Sequence, residues 1–184
     1  MRIADLAALG ISRFDFYDGA WLARGTRLVR GVWVSGKRPP SRELEWATVI
    51  AQVMPRAVIG LRSAAALHGL TESPDVLELL VPRGSWSRGR LPWPSRCFGV
   101  APRFAELYLE ERPLRGQCVL RLTSAVRSAV DLVRYRNRVG PDHASQVLRR
   151  WLELGGTAQV ALECARALRV ERAVKAALRG LGAA

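Results

Sequence analysis

The sequence is short of lysine, histidine, cysteine and acid. Lys37 and Lys175 are its only lysines, so 27 of the 29 cations are arginine. Such a skew beside so much alanine is what codon bias in a GC-rich genome writes, and the ratio itself says nothing about partners. The 16 acids leave a net charge of +13. Codon bias does not oblige acids to be scarce, so this excess points to a polyanionic partner. Cys97, Cys118 and Cys164 are odd in number, scattered and without a C-x-x-C pair. That excludes a disulfide scaffold or zinc ribbon and predicts reduced, buried, inert thiols of a cytosolic protein. No apolar run approaches the roughly eighteen residues of a membrane span, and no signal-peptide pattern opens the chain. The expectation is a cytoplasmic protein with no membrane partner.

Catalytic patterns are scarce too. There is no G-x-x-x-x-G-K-[ST] phosphate cradle. Gly84-Ser85 could open a nucleotidyltransferase motif, but the next acid is Glu106, too distant for paired metal-binding carboxylates. Pro74-Asp75 with Glu78 resembles the start of a metal-dependent nuclease motif, yet Leu80 stands where a lysine is needed. His68 and His143 lack Cys, Asp or Glu at metal-ligand spacing. His68, beside a helix-ending glycine, reads as a capping or packed imidazole, and His143 as a surface residue near a helix start. The reading is a non-enzyme with no metal and no cofactor.

What is present is a chain of 184 residues, 49% apolar, enough for one compact domain or two small ones. Its charge is uneven. Residues 1–42 carry net +5, 43–82 net −3, 83–139 net +8 and 140–184 net +3. Two functional surfaces fit that distribution better than a uniform basic coat.

Ile3–Leu9 reads as a short helix closed by Gly10, and Ser12 with Asp15 opens a second helix to about Leu22. Its Phe14, Tyr17 and Trp21 share one face. Arg27–Val34 reads as a strand leaving through Gly36-Lys37-Arg38-Pro39-Pro40. This is the outline of a small winged helix-turn-helix, which would bring Arg13, Arg24, Arg27, Arg30, Lys37 and Arg38 to a phosphate backbone. A solvated helical hairpin leading into a sheet fits the same outline.

Ser41 then opens a helix to about Met54 with a stripe of Leu44, Ala47, Ile50, Ala51 and Met54. Val58–Ile59 is expected as a short strand, Ser63–Leu70 as a helix capped by Ser63, and Val76–Val81 as a strand. Residues 83–96 read as a long loop or hairpin, with strands near Glu106–Leu109 and Gln117–Leu122. From Ser124 the chain turns helical, with apolar faces at Val126/Ala129/Val130/Val133, Val147/Leu148/Trp151/Leu152 and Val170/Ala173/Val174/Ala177/Leu178/Leu181. Strands first and helices afterwards predict an α+β fold: domain 1–38, then 39–184. Arg127 and Asp131, at i, i+4 with Arg134 a turn on, form either an exposed ion-paired face or part of a partner surface. Arg166, Arg169, Arg172, Lys175 and Arg179 form a basic stripe, by default solvated, able to dock an acidic protein or RNA.

Six motifs then stand in order: D-L-x-x-x-G-I-S-R (Asp5–Arg13), G-V-W-V (Gly31–Val34), S-A-x-A-L-H-G-L (Ser63–Leu70), V-P-R (Val81–Arg83), L-T-S-x-x-R-x-x-x-D-L-x-R-Y-R (Leu122–Arg136), and G-x-D-x-A with L-R-R-W-L (Gly140–Ala144, Leu148–Leu152). In this order they resemble the AbiEi family, antitoxins of type IV toxin–antitoxin and phage abortive-infection systems, over nearly the whole chain. The resemblance implies an N-terminal winged helix binding inverted repeats in its own promoter, and a C-terminal antitoxin domain. It also implies a nucleotidyltransferase-like toxin as partner, neutralised in many members without a stable complex. Arg13 and the Arg24–Arg30 cluster become the operator-DNA contacts. Ser63–Leu70 with Arg127 and Asp131 become the framework of the second domain. This chain departs from the pattern in its short N-terminal unit, in Gly19 within the recognition helix, and in Asp15 and Asp18 where phosphates would approach.

Overall fold

The computed structural model describes residues 25–29, 32–35, 41–85, 90–114 and 118–183, the first two segments by their backbone alone. These form two compact units. The first holds 25–29, 32–35, 41–55, 90–92, 112–114 and 118–120; the second holds 56–85, 93–111 and 121–183. The expected helices Ile3–Leu9 and Ser12–Leu22 lie outside the described residues, and so does the expected boundary at 38/39.

In the first unit, β1 (Gly25–Val29) and β2 (Val32–Ser35) pair antiparallel, Thr26 opposite Val34 and Arg27 opposite Trp33. The single strand expected over Arg27–Val34 is therefore two, and Gly31, mid-run, is the breaker signal that marks it. Helix α1 (Arg42–Val53) starts where expected: the Ser41 side chain accepts from Leu44 N–H at 3.3 Å. Glu43 and Glu45 complement the positive end of its dipole. Its buried stripe is Trp46, Ala47, Val49, Ile50 and Val53: Ala47 and Ile50 are buried as expected, Leu44 and Met54 only half-buried, and Ala51 is exposed. The bulky Trp46 ring and two β-branched valines outcompete Leu44 and Ala51 for burial.

The second unit is a mixed sheet with helices. Its strands are β3 (Val58–Ile59), β4 (Leu77–Pro82), β5 (Ser95–Val100) and, apart from residues 112–113 and 119–120, which count with the first unit, β6 (Leu109–Pro113) and β7 (Val119–Thr123), in spatial order β5-β4-β3-β7-β6. β3 pairs antiparallel with β4, while β3–β7 and β4–β5 are parallel. The helices are α2 (Leu61–Leu67), α3 (Pro102–Ala105), α4 (Ala125–Arg134), α5 (Arg136–Val139), α6 (Pro141–Glu153), α7 (Ala158–Ala167) and α8 (Glu171–Gly180). The pleat sends Val58, Leu80, Phe98 and Val100 to one face. There they join Ala129, Val130 and Val133 of α4, Val147, Leu148 and Trp151 of α6, Cys164 of α7, and Val174 and Leu178 of α8 in one core. Ile59, Leu77, Leu79 and Leu122, facing the other way, are buried as well. Among the described residues, no helix is long and apolar enough to cross a membrane.

Three expectations are corrected. β5 begins at Ser95, in the last two positions of the stretch 83–96 expected as a long loop or hairpin, and runs on to Val100 where no strand was expected; only its Phe98 and Val100 are buried, so the apolar signal is thin. The strand expected at Glu106–Leu109 begins at Leu109, because Pro102 opens the turn of α3 and Tyr108 takes a positive φ of 49° before the chain extends. Ser63 does not cap α2. The helix starts at Leu61, and Ser63 is buried within it.

Candidate functional site

Of the DNA-contact candidates, Arg27 lies on β1, whose backbone alone is described. Arg13, Arg24, Arg30, Lys37 and Arg38 lie outside the described residues. The remaining candidates belong to the second unit.

Arg127 and Asp131 are not on a surface. Both are buried, Arg127 Nε donating to Asp131 Oδ2 at 3.0 Å. Arg127 Nη1 also donates to the carbonyl of Phe104 at 2.7 Å and to that of Leu107. One guanidinium thus ties α4 to α3 and the turn after it. The apolar residues around position 127 on α4 and α7 take this face inside, which spacing alone could not reveal. Burial pushes the Asp131 carboxyl up from its usual range, against the lowering pull of Arg127 and Arg134.

The other motif residues are structural in the same way. Glu78, fully buried on β4, accepts from Arg62 N–H and Nε at 2.9 Å each and from Nη2 at 2.6 Å. Its own N–H donates to Ser63 Oγ at 2.9 Å, so a carboxylate rather than Ser63 satisfies the start of α2. His68 ends α2, and its Nε2 lies 2.8 Å from the Thr123 carbonyl. His143 is half-buried rather than on the surface, its Nε2 out of water and without a partner. The thiols also differ from expectation: Cys97 is exposed, Cys118 half-buried and only Cys164 buried. β5 turns Cys97 away from the core face that Phe98 occupies.

The stripe Arg166, Arg169, Arg172, Lys175 and Arg179 is exposed along its length. Glu171 takes up part of its charge, pairing with Arg166 at 3.4 Å and Lys175 at 2.9 Å. An open groove of about 420 Å³ runs between Gly69–Glu72 and α6, lined by charges of both signs, Glu72 and Glu153 against Arg149 and Arg150. Among the described residues, no three His, Cys, Asp or Glu side chains converge as a metal site.

Residue spacing missed one constellation. The Arg138 guanidinium lies 4.5 Å from the Phe98 ring centroid, and Phe98 meets Tyr135 edge-on at 5.1 Å. Arg134 lies 5.3 Å from Tyr135 and 5.7 Å from Phe104, and Arg103 covers Phe104 at 4.7 Å. Tyr135 Oη donates to the Gly99 carbonyl at 3.2 Å, and the Arg83 side chain passes Gly99, 3.5 Å from where a β-carbon would stand. The sequence signal is an absence. No acid occurs between Glu78 and Glu106, nor between Asp131 and Asp142.

No protein-family model matches the chain, and no curated protein matches it.

Proposed function

We propose that the chain is the antitoxin of a type IV toxin–antitoxin pair, which binds its own promoter, represses the operon and counteracts a nucleotidyltransferase-like toxin. The observation that carries this reading is the order and spacing of six motifs over nearly the whole chain. Motif residues also carry the second unit's framework: Ser63, Arg127 and Asp131 through buried contacts, and His68 through a part-buried one to the Thr123 carbonyl. The function is assigned by analogy with the family that the motifs resemble, not from the fold itself. The β1–β2 ribbon, directly after the two helices expected in residues 3–22, agrees with the wing of a winged helix. In this reading Arg24, Arg27 and Arg30 neutralise operator phosphates and helix side chains read bases.

A mobility-shift titration with the DNA upstream of the gene tests the repressor half. A sequence-dependent shift that weakens with salt is expected, and alanine at Arg24, Arg27 and Arg30 should abolish it. No shift at low salt, or one indifferent to sequence, would sink it. Rescue of cells expressing the neighbouring nucleotidyltransferase-like gene tests the antitoxin half.

The exposed Arg169, Arg172 and Arg179 favour one alternative, a protein-interaction module (or a stand-alone regulator) without such a toxin. Stable co-purification with an acidic neighbouring gene product would support it.

A further inference from the structure

We infer that the second unit carries its own binding surface for the phosphate backbone of duplex nucleic acid, built from Arg83, Arg103, Arg134 and Arg138. Arg103, Arg134 and Arg138 form a continuous ladder with Phe98, Tyr135 and Phe104, and Arg83 passes Gly99, whose carbonyl accepts from Tyr135, beside it. Arg83, Arg103 and Arg138 are exposed and Arg134 is half-buried. Among the described residues none of the four has a carboxylate within ion-pair distance. Asp131, whose charge Arg134 feels, is committed to Arg127, and Glu106 and Glu111 are committed to Arg121. Arg134 keeps its Nη1 out of water and unpartnered between two rings.

A guanidinium stacked on a ring is held in place before any ligand arrives, so it loses little freedom on meeting a phosphate. An acidic helix on a partner would meet the same charge, but the surrounding sequence favours a polymer of regular charge. Residues 79–105 and 132–141 contain eight arginines and no acid, so nothing here selects one carboxylate pattern over another. Duplex is favoured over single strand because the rings are already used. Phe98 is 0% and Phe104 7% exposed, and the half-buried Tyr135 already meets Phe98 edge-on and lies against Arg134, which leaves little aromatic face in the ladder for an unstacked base. Contacts confined to phosphates position a duplex without reading it. The surface thus uses four of the twelve arginines of residues 83–139, and it stands whether or not the first unit recognises an operator.

The test measures affinity of the full chain for a fluorescent duplex of unrelated sequence across a salt series. Replacing Arg83, Arg103 and Arg138 with glutamine should flatten the slope of log K against log salt by about 2 to 3, near 0.9 per lost contact. The triple variant Arg166→Gln, Arg172→Gln, Arg179→Gln removes equal charge and should change the slope by less than one such contact. Lysine at the first three positions should retain most of the slope, which covers the case in which the glutamine variant fails to fold. Equal slopes for the two glutamine variants, an unchanged slope for the first, or tighter binding of single strand would each overturn the proposal. So would a loss confined to poly-glutamate, which would mark an acidic protein instead. Alanine at Arg24, Arg27 and Arg30 is run in parallel. If it abolishes no operator preference, the repressor reading fails while the ladder result stands.

Discussion

The Arg127 guanidinium and the Asp131 carboxylate meet one helical turn apart inside the second unit, 3.0 Å from Nε to Oδ2, with side-chain exposures of 0% and 1%. On a solvated helix the same pair would be worth a few tenths of a kcal/mol. Burial changes its meaning, because neither charge can return to water while the fold persists. Arg127→Ala strands a carboxylate and takes the side-chain donor from the carbonyls of Leu107 and Phe104, of which the latter keeps backbone donors. The expected cost is about 3–5 kcal/mol, read as a lowered urea midpoint. Arg127→Met with Asp131→Leu should recover part of that loss, since the stranded charge is gone. It should not recover all of it, since the Leu107 carbonyl loses the Arg127 donor and the Phe104 carbonyl keeps only its backbone donors, Glu106 and Leu107 N–H. A double variant no better than the single one would place the whole loss in the carbonyls.

Gly156 follows α6 and lies beneath Trp151. A β-carbon there would sit 2.4 Å from Trp151 Cε2 and 2.5 Å from Cδ2. The indole is 8% exposed and belongs to the core, so it cannot simply swing away. Gly156→Ala should therefore destabilise by about 1–3 kcal/mol, the usual cost of overpacking. Gly180→Ala, with open space around the added carbon, is the matched control. It should be neutral or slightly stabilising, because alanine is the better helix former. Thermal melts of the two variants make the comparison.

Where side-chain size and period agree, the sequence was legible. The faces of α4, α6 and α8 stand where their apolar residues recur. The buried face of α7 is Ala161, Cys164, Ala165 and Leu168, correctly spaced but mostly small, so it gave little signal. β5 was hidden for the opposite reason, since most of its residues are exposed and polar or small. The site was harder to read than the fold. An i, i+4 ion pair looks the same on paper at a surface or in a core, and only the neighbouring helices decide which it is. Ser63 carries the residue type of a cap, but Glu78, fifteen positions away, does the work. The arginine ladder joins β5, α3, α4 and α5 through contacts that no local window contains.

His143 sits in the first turn of α6, where the charges of Arg62 and Glu78 reach it. Burial, and then the Arg62 charge, lowers its pKa from about 6.5, while Glu78 opposes the shift. The unfolded chain therefore binds a proton that the folded chain refuses, in the window between the lowered native value and about 6.5. Stability from this group is present above that window and is lost as pH falls through it. Unfolding midpoints measured from about pH 7.5 to about pH 5 should fall more steeply for the native chain than for His143→Gln. Identical slopes would show that another group carries the acid sensitivity.

The three thiols should react in an order set by access and ionisation. Cys97 is exposed on β5, although partial burial of its sulfur raises its pKa, so it should react more slowly than a free thiol. Cys118 is half-buried, its sulfur 3.6 Å from Thr48 Oγ1. Cys164 is fully buried, and its pKa is pushed up to about 12, first by burial and then by the Asp131 charge, with Arg127 opposing. At pH 8 about one Cys164 in ten thousand would be thiolate even if a reagent could reach it. A disulfide reagent under native conditions should therefore label Cys97 first and Cys118 more slowly, leaving Cys164 until urea opens the core. Peptide mapping of the labelled chain identifies the sites. Native labelling of Cys164 at a rate near that of Cys97 would contradict the packing of α7 against α4.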